Sequence, residues 1–145
     1  MTKPLPKDEF HRIFRKVPRL TVEVLITSED QGVRLALRDV DPCRGTWNLP
    51  GGTVRFGEPL VDAVRRVARD ELGISVWVGR LVGCIEYPSH YENGLDSPVG
   101  LVFRAQPREG SRPLGRWFRV LPANMHEEQR RFLLEHAGVS LTDRR

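Results

Sequence analysis

The 145 residues suffice for one domain with a core of its own and are too few for two. With 39% hydrophobic and 29% charged residues the composition excludes a disordered chain, and no apolar run is long enough to cross a bilayer. The net charge of +4, carried mostly by arginine, suits phosphate-bearing small molecules; dispersed arginines, with no basic block interleaved with aromatics, argue against nucleic acid as a partner.

From the start, Met1 to Lys16 is charged throughout and lacks the apolar centre of a secretory signal, and the two cysteines, Cys43 and Cys84, have no metal-ligand spacing. A cytoplasmic location without membrane partners is therefore expected. Phe10, Ile13, Phe14 and Val17 fall at helical spacing and predict a short amphipathic helix from Lys7 to Val17, stopped by Pro18. Leu20, Val22, Val24 and Ile26 alternate with Thr21 and Glu23, the pattern of a half-buried strand; a turn at Ser28–Gly32 leads to Val33, Leu35 and Leu37, and the two strands read as a hairpin. Asp41 to Asn48 reads as a loop.

A helix from Pro59 to Leu72 is signposted by proline in its first turn and Gly73 beyond its last. Strands over Val76–Val82 and Leu101–Ala105 flank a long loop, Tyr87 to Pro98, and loops of that length are usually functional or disordered. Trp117 to Val120 predicts a last strand, with Trp47, Trp117 and Phe118 in the core. Asn124 with Glu127 suggests a capping box for a terminal helix through His136, ended by Gly138. The alternation of strands and helices predicts a single α/β domain over residues 1–145 with a mixed sheet.

The chemistry concentrates in Gly51 to Ile74. On a helical wheel of about 100° per residue, Val61, Val64, Ala68 and Leu72 form an apolar stripe, while Asp62, Arg65 and Arg69 face solvent. Asp70 and Glu71 project from a third face together with position 67. An isolated acidic pair is most often solvated surface. Here it precedes a helix-ending glycine and follows a Gly51-Gly52 turn that lets backbone approach a cation and offer a carbonyl, a suitable arrangement for a hard divalent metal.

This constellation resembles the Nudix box. Gly52, Glu58, Arg66, Ala68, Asp70, Glu71, Gly73 and Ile74 fall on its places, Asp70 replacing the usual glutamate, and the upstream run Gly45 to Gly52 and Arg116-Trp117-Phe118 are similar to flanking parts of the family. The resemblance implies the Nudix fold, an α/β/α sandwich around a central mixed β-sheet, and hydrolysis of a small nucleotide substrate with magnesium, or manganese in its place. Position 67 departs from the family: Val67 stands where most members carry an acid, and an apolar side chain can neither ligate a cation nor accept a proton.

A narrower resemblance, to GDP-mannose mannosyl hydrolases, runs over nearly the full chain. It rests on Asp8-Glu9-Phe10 to Leu20, Leu37-Arg38 to Gly52, Arg66-Val67-Ala68-Arg69-Asp70-Glu71-Leu72-Gly73, and the tail Asn124-Met125-His126 with Arg130 and Phe132. That branch also lacks the acid at the place of Val67, uses one magnesium ion, attacks the sugar carbon C1, and is dimeric. The resemblance implies Glu71 as principal metal ligand with the Gly51 carbonyl, and Asp70 as a further ligand or a solvated acid. It implies Arg38 on the diphosphate, and Arg66 paired with Glu58 to orient the box.

The branch's histidine base has no counterpart near Asp96-Ser97-Pro98-Val99, so His90, Glu92 and Asp96 on the long loop are the candidates. Tyr87 and Tyr91 are candidates to stack on substrate, and His126 to touch the sugar or a partner subunit. Cleavage of a nucleoside diphosphate linked to another group, such as GDP-mannose, is the expected activity. A house-cleaning triphosphate pyrophosphatase and a non-catalytic nucleotide-binding module are the alternatives.

Overall fold

The computed structural model describes residues 2–41 and 43–143; Met1, Pro42, Arg144 and Arg145 lie outside them. The loop expected from Asp41 to Asn48, which includes Pro42, ends earlier, because Trp47–Asn48 form a strand. Helix α1 spans Lys7–Phe14 and buries no residue. It ends earlier than Val17, with Arg15 as its cap, because proline disfavours helical backbone at the residue before it.

Strand β1, Arg19–Leu25, lies inside a four-stranded sheet ordered β5-β1-β7-β6, with β5 at Gly51–Thr53, β6 at Val76–Glu86 and β7 at Pro98–Pro107. It pairs parallel with β7 and antiparallel with β5, and β6 pairs antiparallel with β7, so the sheet is mixed. The expectation of a half-buried β1 is corrected: every residue from Thr21 to Leu25 is buried. One face of β1 presents Val22 and Val24 to helix α2, Leu60–Leu72. Leu25 packs instead with Val33, Leu35, Val102 and the terminal helix α4, Glu127–His136. Helices thus cover both faces of the sheet, the α/β/α layering expected.

The expected hairpin forms only at its tip. Short strand β2, Thr27–Ser28, pairs with β3, Gly32–Leu37, while β1 itself stays in the larger sheet; β3 then pairs with β4, Trp47–Asn48, and β8, Arg116–Phe118. Gly32 and Gly115 both have positive φ, and a Cβ there would lie within about 2.2 Å of a backbone carbonyl oxygen, so only glycine fits these close crossings.

The last strand predicted over Trp117–Val120 divides into β8 and β9, Val120–Leu121, which pairs parallel with β10, Thr142–Asp143. The long loop after β6 holds helix α3, Pro88–Glu92. The capping box is not made: Asn124 Nδ2 donates to the Gly45 carbonyl at 2.6 Å, and the backbone of His126 begins α4 without a side-chain cap. Trp47 and Phe118 meet edge-on, 4.9 Å between centroids, against the second core cluster.

Candidate active site

Helix α2 owes its rotation to a wide apolar face: Ala63, Val64, Val67, Ala68 and Leu72 are buried. Two expectations fail here. Val61 is 40% exposed and belongs to no stripe facing the sheet, whereas Val67, expected beside the acids, is 2% exposed and packs in the core. The turn expected at Gly51-Gly52 is instead the start of strand β5, paired with β1; a Cβ on Gly52 would sit 3.0 Å from Val67 Cγ2, so the valine fills the space beneath this diglycine segment. Asp62, Arg65 and Arg69 face solvent as expected.

The register of β5 on β1 turns Gly51 outward. The Val24 N–H donates to the Pro50 carbonyl, so that pair is bonded across the ladder; the next pair, Glu23 and Gly51, is then of the kind that exchanges no ladder bonds. Both backbone groups of Gly51 therefore face the open edge of the sheet, where its N–H donates to Glu71 Oε2 at 2.7 Å. Glu71 is exposed at the cavity edge, and its carboxyl is partly desolvated where it meets Gly51. This desolvation pushes its pKa up to about 7, aided by the charges of Asp70 and Asp39, against the Gly51 hydrogen bond and the Arg38 charge.

Behind the bend, Arg66 donates to Glu58 at 2.8 and 3.0 Å and to the Thr53 carbonyl at 2.8 Å. This bidentate pair ties α2 to the loop before it and holds the Glu58 carboxyl below its ordinary range. Gly73 caps α2 with φ 68. Neither Arg66 nor Glu58 nor Gly73 lines the cavity, which makes all three supports of its wall.

Eight expected residues line one cavity of about 430 Å³: Arg38, Gly51, Gly52, Asp70, Glu71, Tyr87, His90 and His126. The expectation for Tyr91 fails, since it is 52% exposed and outside that lining. Tyr87, also expected to stack on substrate, is buried in the second core cluster, and its hydroxyl donates to Glu23. Glu92 lies outside the cavity as well.

His90 sits on α3, where its Nδ1 is 3.1 Å from Asp96 Oδ1; Arg19 Nε donates to the other Asp96 oxygen at 2.6 Å. Contact with His90, then the Arg19 charge, lowers the Asp96 pKa to about 2 against its burial. Nε2 of His90 is buried without a protein partner. The His126 ring lies 5.0 Å from that of His90 between centroids, tilted by 50°, and burial lowers its pKa.

The floor of the cavity was not anticipated. Thr21 and Glu23 line it with Gln129, whose Nε2 reaches the Tyr87 hydroxyl at 3.0 Å. Burial raises the Glu23 pKa to about 7, against its bonds to Tyr87 and Gln129 and the Arg19 charge. A signal existed: Leu25 interrupts the alternation of β1, marking a strand covered on both faces, so Thr21 and Glu23 could not be facing bulk water.

The donors around the bend are all oxygens: the Glu71 and Asp70 carboxylates and the outward Gly51 carbonyl. That chemistry fits magnesium or manganese, hard ions that keep several water ligands. Among the described residues no three His, Cys, Asp or Glu side chains converge as a ready cage for an ion.

Fold and site together define an α/β/α domain with an oxygen-donor pocket at the edge of a mixed sheet. The chain belongs to the NUDIX domain family, whose model matches residues 17–136. It is 41% identical over 98 residues to the low-salt glycan biosynthesis protein Agl8 of Haloferax volcanii, covering 66% of this chain and 62% of that one. It is 31% identical over 86 residues to an ADP-ribose pyrophosphatase of Methanocaldococcus jannaschii, covering 59% and 49%. The chain thus spans about half to two thirds of the length of these curated relatives. A crystal structure of a MutT NUDIX hydrolase from Burkholderia pseudomallei superposes with a TM-score of 0.67 at 30% identity, covering 81% of this chain and 97% of that one. No described helix is long and apolar enough to cross a membrane.

Proposed function

We propose that this chain hydrolyses a nucleoside diphosphate joined to a second group, and that the second group is a sugar, GDP-mannose being one candidate substrate. The observation that carries the reading is the Glu71 carboxyl held against the outward-facing backbone of Gly51, with Arg38 beside it in the same cavity. A divalent cation bound there would neutralise diphosphate charge. Arg38 adds a permanent positive charge for the departing phosphate oxygens. His90 is suited to take a proton from water: Asp96 occupies Nδ1, which leaves Nε2 as the unpartnered nitrogen.

Beyond the bend a second lobe of about 600 Å³ opens toward α1, lined by Phe10, Phe14 and Arg15 as well as Arg19 and Arg38. Its aromatic faces and cations suit a nucleobase with its phosphates. The kinship with a glycan biosynthesis protein supports the sugar half of the reading.

The test is turnover of a panel of nucleotide sugars, dinucleotides and nucleoside triphosphates with magnesium, products identified, by wild type and Glu71→Gln. The expected result is release of a nucleoside diphosphate or monophosphate by the wild type, with at least a hundredfold loss in the variant and an unchanged fold. Labelled water then assigns attack to carbon or phosphorus. No turnover of any member overturns the reading and favours a binding module; release of pyrophosphate from triphosphates alone favours the pyrophosphatase.

A further inference from the structure

The floor of the cavity carries buried polar atoms that have no partner in the protein. Thr21 is 6% exposed and Glu23 5%, and both carry a buried oxygen without a protein partner, Thr21 Oγ1 and Glu23 Oε2. Both residues line the cavity. Buried polar atoms almost always have a partner, and one left without it costs the full desolvation of the group. Two such atoms beside a cavity are a place where a ligand regains what folding lost. The third unpartnered buried atom, His90 Nε2, belongs to another residue of the same cavity lining.

The arrangement is built rather than accidental. Tyr87 and Gln129 form a chain to the other oxygen of Glu23, fixing the carboxyl, and a Cβ on Gly100 would lie 2.8 Å from its carbon, so the glycine on β7 leaves the notch it occupies. Thr21 and Glu23 are two apart on one strand and share a face, with Cα atoms about 6.5–7 Å apart. That spacing suits two different hydroxyls of one ring better than a single atom.

Charge and shape choose the occupant. A carboxyl oxygen repels phosphate, so the diphosphate belongs at Arg38 and the bend, not here. A nucleobase needs an aromatic face, and the ring on this floor, Tyr87, is 3% exposed and flanked edge-on by His90 and His126. A hydroxyl offers both a donor and an acceptor and can satisfy Thr21, Glu23 and His90 alike. We infer that the pocket floor formed by Thr21 and Glu23 is a glycosyl subsite that hydrogen-bonds two ring hydroxyls of the group attached to the diphosphate. This rests on the nucleotide-sugar reading above and assigns the end of the substrate that the floor selects.

The test compares binding of UDP-, GDP- and ADP-hexoses with the matching nucleoside diphosphate methyl esters, by calorimetry on the full chain with magnesium. In wild type at least one hexose should bind tenfold more tightly than its methyl ester. Thr21→Val should cost the hexose about five- to tenfold, the value of one hydrogen bond, and leave the methyl ester within twofold, with Thr21→Ser recovering most of the loss. Glu23→Gln keeps the shape and should likewise weaken the hexose alone.

The inference is overturned if no hexose outbinds its methyl ester, if Thr21→Val weakens both ligands equally or neither, or if Glu23→Gln raises the magnesium requirement while leaving the hexose preference intact. Turnover is measured separately. A protein that hydrolyses nothing yet prefers hexoses refutes the hydrolase reading and keeps the subsite; one that hydrolyses nucleotides without that preference does the reverse.

Discussion

Replacing Val67 by glutamate restores the residue type the family usually carries, and the packing predicts that it will do harm. Val67 is 2% exposed, lies among Val22, Val24, Val64 and Ala68, and supports Gly52 from below. Losing the buried valine removes about 1.5–2 kcal/mol of hydrophobic stabilisation. An ionised carboxylate at the same spot adds a desolvation penalty of several kcal/mol. The sum, about 4–6 kcal/mol, is comparable with the whole stability of a domain of this size.

The cost depends on pH with a definite sign. A carboxyl forced into the core keeps its proton in the folded state to a higher pH than in the unfolded chain. The folded form then binds more protons above about pH 4.3, and stability relative to wild type falls as pH rises. Urea unfolding followed by tryptophan fluorescence should therefore show a smaller midpoint loss for Val67→Glu at pH 5 than at pH 8. Val67→Ala should lose about 1–3 kcal/mol by leaving a cavity, equally at both. Equal midpoints for wild type and Val67→Glu, with turnover raised, would mean that position 67 faces the cavity and that α2 is rotated from the orientation described.

Arg66→Ala leaves the part-buried Glu58 carboxylate without its bidentate partner, and unfolding in urea should show a loss of about 1–2 kcal/mol; Arg66→Lys should recover less than half, because an ammonium cannot span both oxygens. The Asp96 pKa, lowered to about 2, means that its contribution to stability is present above pH 3.8 and is lost as pH falls toward 2. Asp96→Asn should flatten the acid limb of the urea midpoint across that window, and an unchanged limb would show that the carboxylate is not held by His90 and Arg19. Tyr91→Ala should leave kcat/KM within twofold, and a tenfold loss would return Tyr91 to the site.

Local signals were legible where one element decides them. Pro59 and Gly73 bracket α2 within a residue, and the spacing from Gly52 to Glu71 runs along one short strand, one loop and one helix. What the chain concealed depends on which face of an element meets which layer. Helical spacing had the right period for α2 but included Val61 in the stripe and left out Val67, because nothing in the helix alone says that the diglycine segment of β5 needs a side chain beneath it. Asn124 had a cap's chemistry, but Gly45, far away in sequence, took its side chain. Tyr87 had the composition of a loop aromatic and became core once α4 lay across it.

Strand β1 ties these points together. Its parallel pairing with β7 and antiparallel pairing with β5 make it interior to the sheet, and coverage on both faces follows. One face, through Val22 and Val24, packs against α2, the helix that carries Glu71. The other carries Thr21 and Glu23 into the cavity, directly opposite Thr53 and Gly51 on β5. The strand that pairs with the diglycine segment therefore also forms the floor beside it, and a shift of β1 by one residue would exchange the two faces. It would put Val22 and Val24 into the cavity and Glu23 against α2, losing the floor and the core together. Polar residues at Thr21 and Glu23 thus help fix the register that the bend requires.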